Sequence, residues 1–313
     1  MILPSDVQEK VNNLFVGLNK KTLLSGREEL TNKYKSGQAI NKSVIESKQD
    51  GIVYAISRMP ATFAVIYSLL ETLINQGKIE NISSIIDIGS GTGAGFFASR
   101  ELFGDAEISL FEREKNMIDV FDKFETGVKV NLFDFMRDEI NLKADLVMTN
   151  YVFSELSEEG RKIALTKMLN SSNRFVLIVD TGTPRTYENF MRVKKWAIES
   201  GYNISAPCMS EKCGLKNDYC QFFARVDRSS LQKLAKNGEL TYEDEKYFYL
   251  LIDKNLNSAG DDVLERVIRR PILKTNFVEL KVCSSKGVIQ KTITKKDKVA
   301  YQRAKKVKVN EIL

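Results

Sequence analysis

The chain of 313 residues contains no histidine. That absence removes Ser-His and Cys-His nucleophile pairs, histidine-based zinc motifs and any histidine general base. Cysteine occurs four times, proline five times and tryptophan once. Met1–Lys20 alternates polar and apolar residues instead of forming an apolar leader, so the chain reads as unexported. Thiols in such a protein stay reduced, and a disulfide framework is not expected. No apolar run approaches the ~20 residues that span a bilayer, so no membrane partner is expected. What remains is the chemistry of carboxylates, thiolates, lysines and backbone amides.

The composition is otherwise globular, 43% hydrophobic and 28% charged, and the length suits two domains or one with extensions. Charge is uneven. Residues 270–313 hold 12 Lys+Arg against 3 Asp+Glu, a net of +9, while the remainder holds 35 against 38, a net of −3. A basic tail on a near-neutral body points to a polyanionic partner, most plausibly nucleic acid, with a solvated lysine-rich face as the alternative.

No internal repeat or low-complexity segment is present. Ser5 is positioned to cap a first helix with Gln8 completing a capping box, and Val7, Val11, Leu14, Phe15 and Leu18 then share a face. A second helix is expected over Arg27 to Lys35, a loop over Ser36–Lys48, and a long apolar helical stretch over Ile52–Gln76 broken at Pro60. From Ile82 the pattern becomes strand, turn, helix. Short β runs at Ser84–Ile88, Ile108–Phe111, Val128–Phe133, Leu146–Thr149 and Phe175–Val179 alternate with helices at Gly95–Leu102, Asn116–Phe124, Glu158–Asn170 and Thr186–Ser200. That alternation predicts βαβ units and a parallel sheet, ending in strands at Phe222–Val226 and Tyr247–Ile252. Val263–Lys274, Phe277–Val282 and Val288–Thr294 read as antiparallel strands, and a basic helix over Asp297–Lys308 closes the chain.

Ile85-Ile86-Asp87-Ile88-Gly89-Ser90-Gly91-Thr92-Gly93 is the strongest motif. An apolar strand enters a three-glycine turn that brings backbone N–H groups close to a ligand. Gly89, Gly91 and Ala94 satisfy the dinucleotide fingerprint. S-adenosylmethionine (SAM) enzymes instead carry an acid two residues before the first glycine, as Asp87 is here, which holds the cofactor's cationic amine. The same acid would repel a pyrophosphate, so SAM is favoured over a dinucleotide or an empty turn. Glu112, ending the second strand, suits the ribose hydroxyls in either class. Asp134 follows the third strand, where an acid near the adenine or a plain loop acid are both consistent. Asn150-Tyr151-Val152-Phe153 follows the fourth, at the methyl-acceptor position. It lacks the paired prolines of nucleic-acid amino methyltransferases. With no histidine available, Glu155 or Asp180 is the expected proton acceptor.

Cys208, Cys213 and Cys220 occupy one loop, and Cys283 lies far downstream. Four thiolates suit an iron–sulfur cluster or zinc, and the wide local spacing suits the bulkier cluster; small core residues are the remaining alternative.

The chain resembles the mitochondrial small-ribosomal-subunit assembly family, methyltransferase-like proteins that bind the mitoribosome, and their bacterial relatives. The resemblance is carried by Tyr54-Ala55-Ile56-Ser57-Arg58-Met59-Pro60-Ala61-Thr62, the Asp87–Gly93 turn, Asn150–Leu156, Gly182-Thr183-Pro184, the cysteine loop with Gln221–Val226, Glu245-Lys246-Tyr247, Cys283 and Lys295-Lys296-Asp297. It implies a class I SAM-dependent methyltransferase fold, Rossmann-like, with a [4Fe–4S] cluster on Cys208, Cys213, Cys220 and Cys283. It also implies attachment to small-subunit ribosomal RNA, in company with ribosomal proteins or assembly factors. Two departures stand out: Met209-Ser210 where relatives often have Pro-His, and Asp180-Thr181 where they often have Glu before Gly-Thr-Pro.

The expected organisation is an N-terminal helical region over 1–80, a methyltransferase-like domain over 81–255 with a metal-binding loop at 206–221, and a basic C-terminal β extension with a helix over 256–313. Asp87, Gly89, Gly91, Gly93, Glu112 and Asp134 are the expected cofactor residues, and Asn150, Tyr151 and Glu155 the expected acceptor-side residues. The expected protein is cytoplasmic, or in the mitochondrial matrix if its source is eukaryotic. It is a SAM-binding protein that acts on or assembles the small ribosomal subunit. The rivals are a non-catalytic assembly factor using the fold to grip RNA, and a small-molecule methyltransferase with a zinc-stabilised appendage.

Overall fold

Helices Ser5–Asn13 (α1), Lys20–Lys35 (α2), Lys48–Ser57 (α3) and Met59–Asn75 (α4) open the chain. The computed structural model describes residues 1–36, 43–210, 213–215, 218–255 and 264–313. Ser5 is not the cap of α1. Pro4 takes the capping position with no side-chain hydrogen bond, and Gln8 turns to donate to Asn12 Oδ1 at 3.0 Å. With φ −48° and extended ψ, Pro4 is already set to start a helix. α2 begins seven residues before the expected Arg27, because the Asn19 side chain accepts the Thr22 N–H at 2.8 Å and caps it there. Within the polar stretch read as a loop, Val44 and Ile45 are buried. α3 starts on a Ser47–Asp50 capping box, and Pro60 sits in the first turn of α4. The two helices meet at Arg58 with a bend of 50°. No single helix among the described residues is long and apolar enough to cross a membrane.

The strands Ser84–Ile88 (β1), Glu107–Glu112 (β2), Val130–Leu132 (β3), Ala144–Asn150 (β4) and Ser172–Thr181 (β5) pair in parallel in the order β3-β2-β1-β4-β5. Helices Ala94–Phe103 (α5), Lys115–Phe124 (α6), Glu158–Ser171 (α7) and Pro184–Glu199 (α8) fall between or after them, as βαβ crossovers require. β3 is shorter than the expected Val128–Phe133.

Beyond β5 the expected parallel pattern fails. Asn203–Ala206 (β6), Phe222–Asp227 (β7) and Tyr242–Asp253 (β8) complete the sheet, with a short helix Ser230–Lys236 (α9) between the last two. β8 is antiparallel to β5. It is long enough to seat β6 and β7 one after the other along its opposite edge. The cysteine loop is therefore an excursion between two short strands on one sheet edge. β6 and α9 were not expected, being too short to show a period. The resulting sheet, parallel with one reversed strand inserted near its edge, is that of a class I methyltransferase.

Arg266–Val267 (β9), Ile272–Leu273 (β10), Phe277–Ser284 (β11) and Gly287–Thr294 (β12) form a second sheet, followed by helix Lys298–Lys306 (α10). The expected strand Val263–Lys274 is instead two two-residue strands on one edge of β11, with its first residue outside the described residues. Pro271 lies between them and has no N–H to continue a ladder. One hydrophobic core runs from Leu3 to Ile252 and takes in α1 through α4. A smaller one, built on Val267, Val278, Leu280, Val282, Tyr301 and Ala304, lies between the second sheet and α10.

Candidate functional site

β1 delivers Asp87 and the glycine turn to the carboxyl edge of the sheet, beside the end of β4. Gly89, with φ +74°, leaves no room for a side chain: a Cβ would stand 2.4 Å from Val152 Cγ2. Gly93, with φ +90°, stands at the start of α5, and a Cβ there would meet the Phe121 ring at 2.5 Å. Gly93 thus lets the start of α5 pack closely against Phe121 of α6, while Gly89 and Gly91 line the adjoining cavity.

Asp87 is 1% exposed. Its Oδ1 accepts from Asn150 Nδ2 at 3.2 Å, while Oδ2 has no hydrogen-bond partner. Burial pushes its carboxyl up to about 7, with the Glu112 charge adding and the Asn150 bond opposing. A small recess in front of it is lined by Thr62, Ser90, Thr92 and Asn150. Thr62 Oγ1, Ser90 Oγ and Asn150 Oδ1 are also buried without partners. Native proteins rarely leave so many buried polar atoms unmatched in one place, unless a ligand or water completes them.

A larger cavity of about 270 Å³ adjoins it, lined by Glu112, Asp134, Tyr151 and Glu155 with Phe133, Phe135, Tyr34 and Tyr54 among its walls. Glu112 Oε2 accepts the Gly91 N–H and Oε1 the Glu114 N–H, both at 2.7 Å. Burial raises its carboxyl above the usual range despite those bonds. Asp134 Oδ1 accepts the Met136 N–H at 2.8 Å, so it is a turn-forming acid that also faces the cavity. Tyr34 and Tyr54 come from α2 and α3, so the N-terminal helices supply one wall.

On the acceptor side, Tyr151 adopts φ +63°, a costly conformation for an aromatic residue. Its N–H donates to Val179 O at 2.7 Å, and its hydroxyl is buried without a partner. The Arg58 guanidinium lies 5.8 Å from the Tyr151 ring centroid. A 3-10 turn, Phe153–Glu155, brings Glu155 to the cavity. Burial, then the Asp180 charge, hold its carboxyl well above the usual range. Asp180 does not fit the expected role of proton acceptor. It is fully buried, and its two oxygens accept the Ser154 and Thr181 N–H groups, each at 2.7 Å. It shapes the turn that carries Glu155.

The cysteine loop and β11 bring the four thiols into one neighbourhood. Burial raises Cys208, Cys220 and Cys283. Cys213 and Cys283 raise Cys208 further, the other three raise Cys220, and Cys213 raises Cys283. Cys213 Sγ is 2.9 Å from the Tyr187 hydroxyl. Among the described residues, no three or more of these side chains are grouped to hold a metal ion. The expected four-thiolate centre is thus not displayed as a formed site. Two cations nearby had no signal in the sequence. Lys194 is 3% exposed; its Nζ donates to Ser210 O at 2.6 Å and to the Cys208 thiol. Arg266 is 0% exposed and donates to Pro207 O, Gln76 Oε1 and Asn310. Neither has a carboxylate partner among the described residues.

The chain is similar in fold to several solved methyltransferases. A candidate RNA methyltransferase from Pyrococcus horikoshii is 18% identical, with 62% of this chain and 84% of that one covered and a TM-score of 0.42. The plantazolicin methyltransferase BpumL, solved with SAH, is 16% identical over 80% and 99% of the two chains, with a TM-score of 0.41. The magnesium protoporphyrin IX methyltransferase of Synechocystis, solved with SAM, is 11% identical over 76% and 98%, with a TM-score of 0.40. No curated protein matches the sequence. The family model described as mitochondrial small ribosomal subunit Rsm22 matches residues 48–311. The match runs from α3 to the residues after α10, through the glycine turn, the acceptor turn and all four cysteines. The chain belongs to the Rsm22 mitochondrial small ribosomal subunit family.

Proposed function

We propose that this chain binds SAM at the glycine turn and works in association with the small ribosomal subunit. The observation that carries the first part is the unpartnered Asp87 Oδ2 at the glycine turn, among three further orphaned polar atoms. A cationic amine satisfies Asp87 and returns it to the ionised state. Glu112 remains able to accept from ribose hydroxyls through its free lone pairs, and the aromatic walls suit an adenine, with Asp134 at its rim. The second part rests on family membership. By the same membership the compartment is that of the ribosome it serves, mitochondrial where the family's namesake belongs.

SAM supplies an electrophilic methyl, so the protein needs only to align an acceptor and take its proton. We assign the second task to Glu155, which lines the cavity on a turn shaped by Asp180. One observation favours the rival, non-catalytic reading. Asn150 Nδ2, the amide that would hold an acceptor, is already bound to Asp87. Titration calorimetry with SAM, followed by transfer of labelled methyl to immature small subunits, separates the cases. SAM binding with no transfer, and retained subunit binding, assigns the scaffold role. No SAM binding at all removes the first part.

We also propose that Cys208, Cys213, Cys220 and Cys283 hold a [4Fe–4S] cluster, with zinc as the alternative occupant. What supports the reading is donor chemistry and not a formed cage: the thiols lie close enough to raise one another, and the buried cations Lys194 and Arg266 lack carboxylate partners among the described residues, a counter-charge that a thiolate-ligated centre would supply. When bound, the group would cross-link the sheet-edge loop to the C-terminal sheet. Anaerobic purification with iron, sulfide and zinc analysis decides between the occupants.

A further inference from the structure

One face of β7 and β8 carries an exposed row of planar groups. Phe223 and Arg225 on β7 alternate outward from buried Ala224 and Val226. Opposite them in register lie Lys246 and Asp244, and Tyr242 follows on the same face of β8. The Arg225 guanidinium lies over the Tyr242 ring at 4.2 Å, and the Arg270 guanidinium over the Phe223 ring at 4.1 Å. Both guanidiniums bind one carboxylate, Asp244, at 2.9 Å and 2.6 Å. Tyr242 is 39% exposed, and Arg225, Arg270 and Lys246 are exposed. Glu243 and Glu245 face the other way, paired with Lys236 and Arg58. Asp227, the second acid on this face, is held by the Met1 amino group.

We infer that this row, Tyr242–Arg225–Arg270–Phe223 with Lys246, is a platform for single-stranded RNA, distinct from the lysines of the C-terminal helix. The inference rests on the proposed association with the ribosomal subunit. Arg225 and Arg270 share the single carboxylate of Asp244, and exposed Lys246 adds a third positive charge to the face, so the face attracts a polyanion. Its flat surfaces are ring and guanidinium planes, on which unpaired bases stack and paired ones cannot. A duplex would offer only phosphates and would gain nothing from Tyr242. Because Arg270 comes from the C-terminal segment and Arg225 from the main sheet, the platform exists only when both are docked.

The test uses the full chain, a short fluorescent oligouridine, a duplex RNA of the same length, and purified small subunits. The parent is expected to prefer the single strand. Tyr242→Ala should weaken oligouridine binding about ten-fold without changing the salt slope, as loss of one stacked base would. Tyr242→Phe should restore it. Arg270→Gln should weaken binding and lower the log–log salt slope by about 0.7, one phosphate on a single strand. Unchanged melting temperatures identify folded variants. Folded Tyr242→Ala and Arg270→Gln proteins that bind oligouridine like the parent overturn the platform, as does a parent preference for duplex. Small subunits report separately. Failure of the parent to bind them counts against the proposed association, whereas oligouridine binding lost through Tyr242 still supports the platform.

Discussion

Arg58 and Glu245 are 187 residues apart and meet in a two-pronged ion pair, with Nη2 to Oε1 at 2.9 Å and Nη1 to Oε2 at 3.5 Å. Arg58 stands at the bend between α3 and α4, and Glu245 on β8. The guanidinium also covers the Tyr151 ring. One side chain therefore ties the N-terminal helices, the turn at Tyr151 and strand β8 together. The Arg58 side chain is 35% exposed and that of Glu245 16%, so solvent screens part of the pair. Glu245→Gln is expected to cost about 1–2 kcal/mol in denaturant melts. A loss under a few tenths would show that the pair holds nothing.

Asp87 predicts a pH dependence. Folded, its carboxyl keeps a proton to about 7, against 3.8 ordinarily. Between those values the folded state binds more protons than the unfolded one, so stability falls as pH rises from about 4 to 7. Glu112, Glu155 and Asp180 are raised too and act with the same sign. Asp87→Asn should therefore shallow the decline of melting temperature without abolishing it. SAM uptake near pH 6 should release a proton from the parent, read as a buffer-dependent calorimetric heat. The variant should release less.

Gly95 gives a steric test. A Cβ there would stand 2.3 Å from Asp87 Oδ2. Gly95 lies in the first turn of α5, where Gly→Ala would ordinarily lower the entropy lost on folding and stabilise the helix. Here Gly95→Ala should instead displace the carboxylate and weaken SAM binding at least ten-fold, at a cost of about 1–3 kcal/mol. Parent-like SAM affinity in the variant would remove Asp87 from the site.

Lys194 tests the proposed four-thiol centre. A buried ammonium without a carboxylate is costly by itself. Lys194→Met should be neutral or stabilising in metal-free protein, judged by melting temperature. In protein prepared without oxygen it should reduce retained iron and sulfide. Equal iron retention in parent and variant would leave the lysine with no part in balancing the centre.

Helix α10 turns Tyr301 and Ala304 inward, as does Val307 just past its end, and leaves Lys298, Lys305 and Lys306 exposed, with Lys295 and Lys296 just before it and Lys308 just after. Replacing Lys295, Lys296, Lys305 and Lys306 with Gln should flatten the salt dependence of RNA binding and leave SAM binding unchanged. An unchanged slope would make these lysines a solvated face.

The period and turn chemistry of the chain were enough to place β1, β2, β4, β5, the glycine turn, Asp87 and Glu112, because each depends on neighbours close in sequence. Amphipathic spacing also located α6 to α8 and the outward lysines of α10. Helix starts were less legible where capping decided them, as at Pro4 and Asn19. Only the tertiary structure decided that β8 runs backwards, since a buried strand has the same pattern in either direction. It also decided that β6 and β7 share one edge of β8, being too short to specify a partner alone. The meeting of Arg58 with Glu245, of Lys194 and Arg266 with the thiols, and of Arg225 with Arg270 across Asp244 depends on the packing of distant segments. No local period encodes a contact of that kind, because it is the burial of the surrounding core that sets the distance.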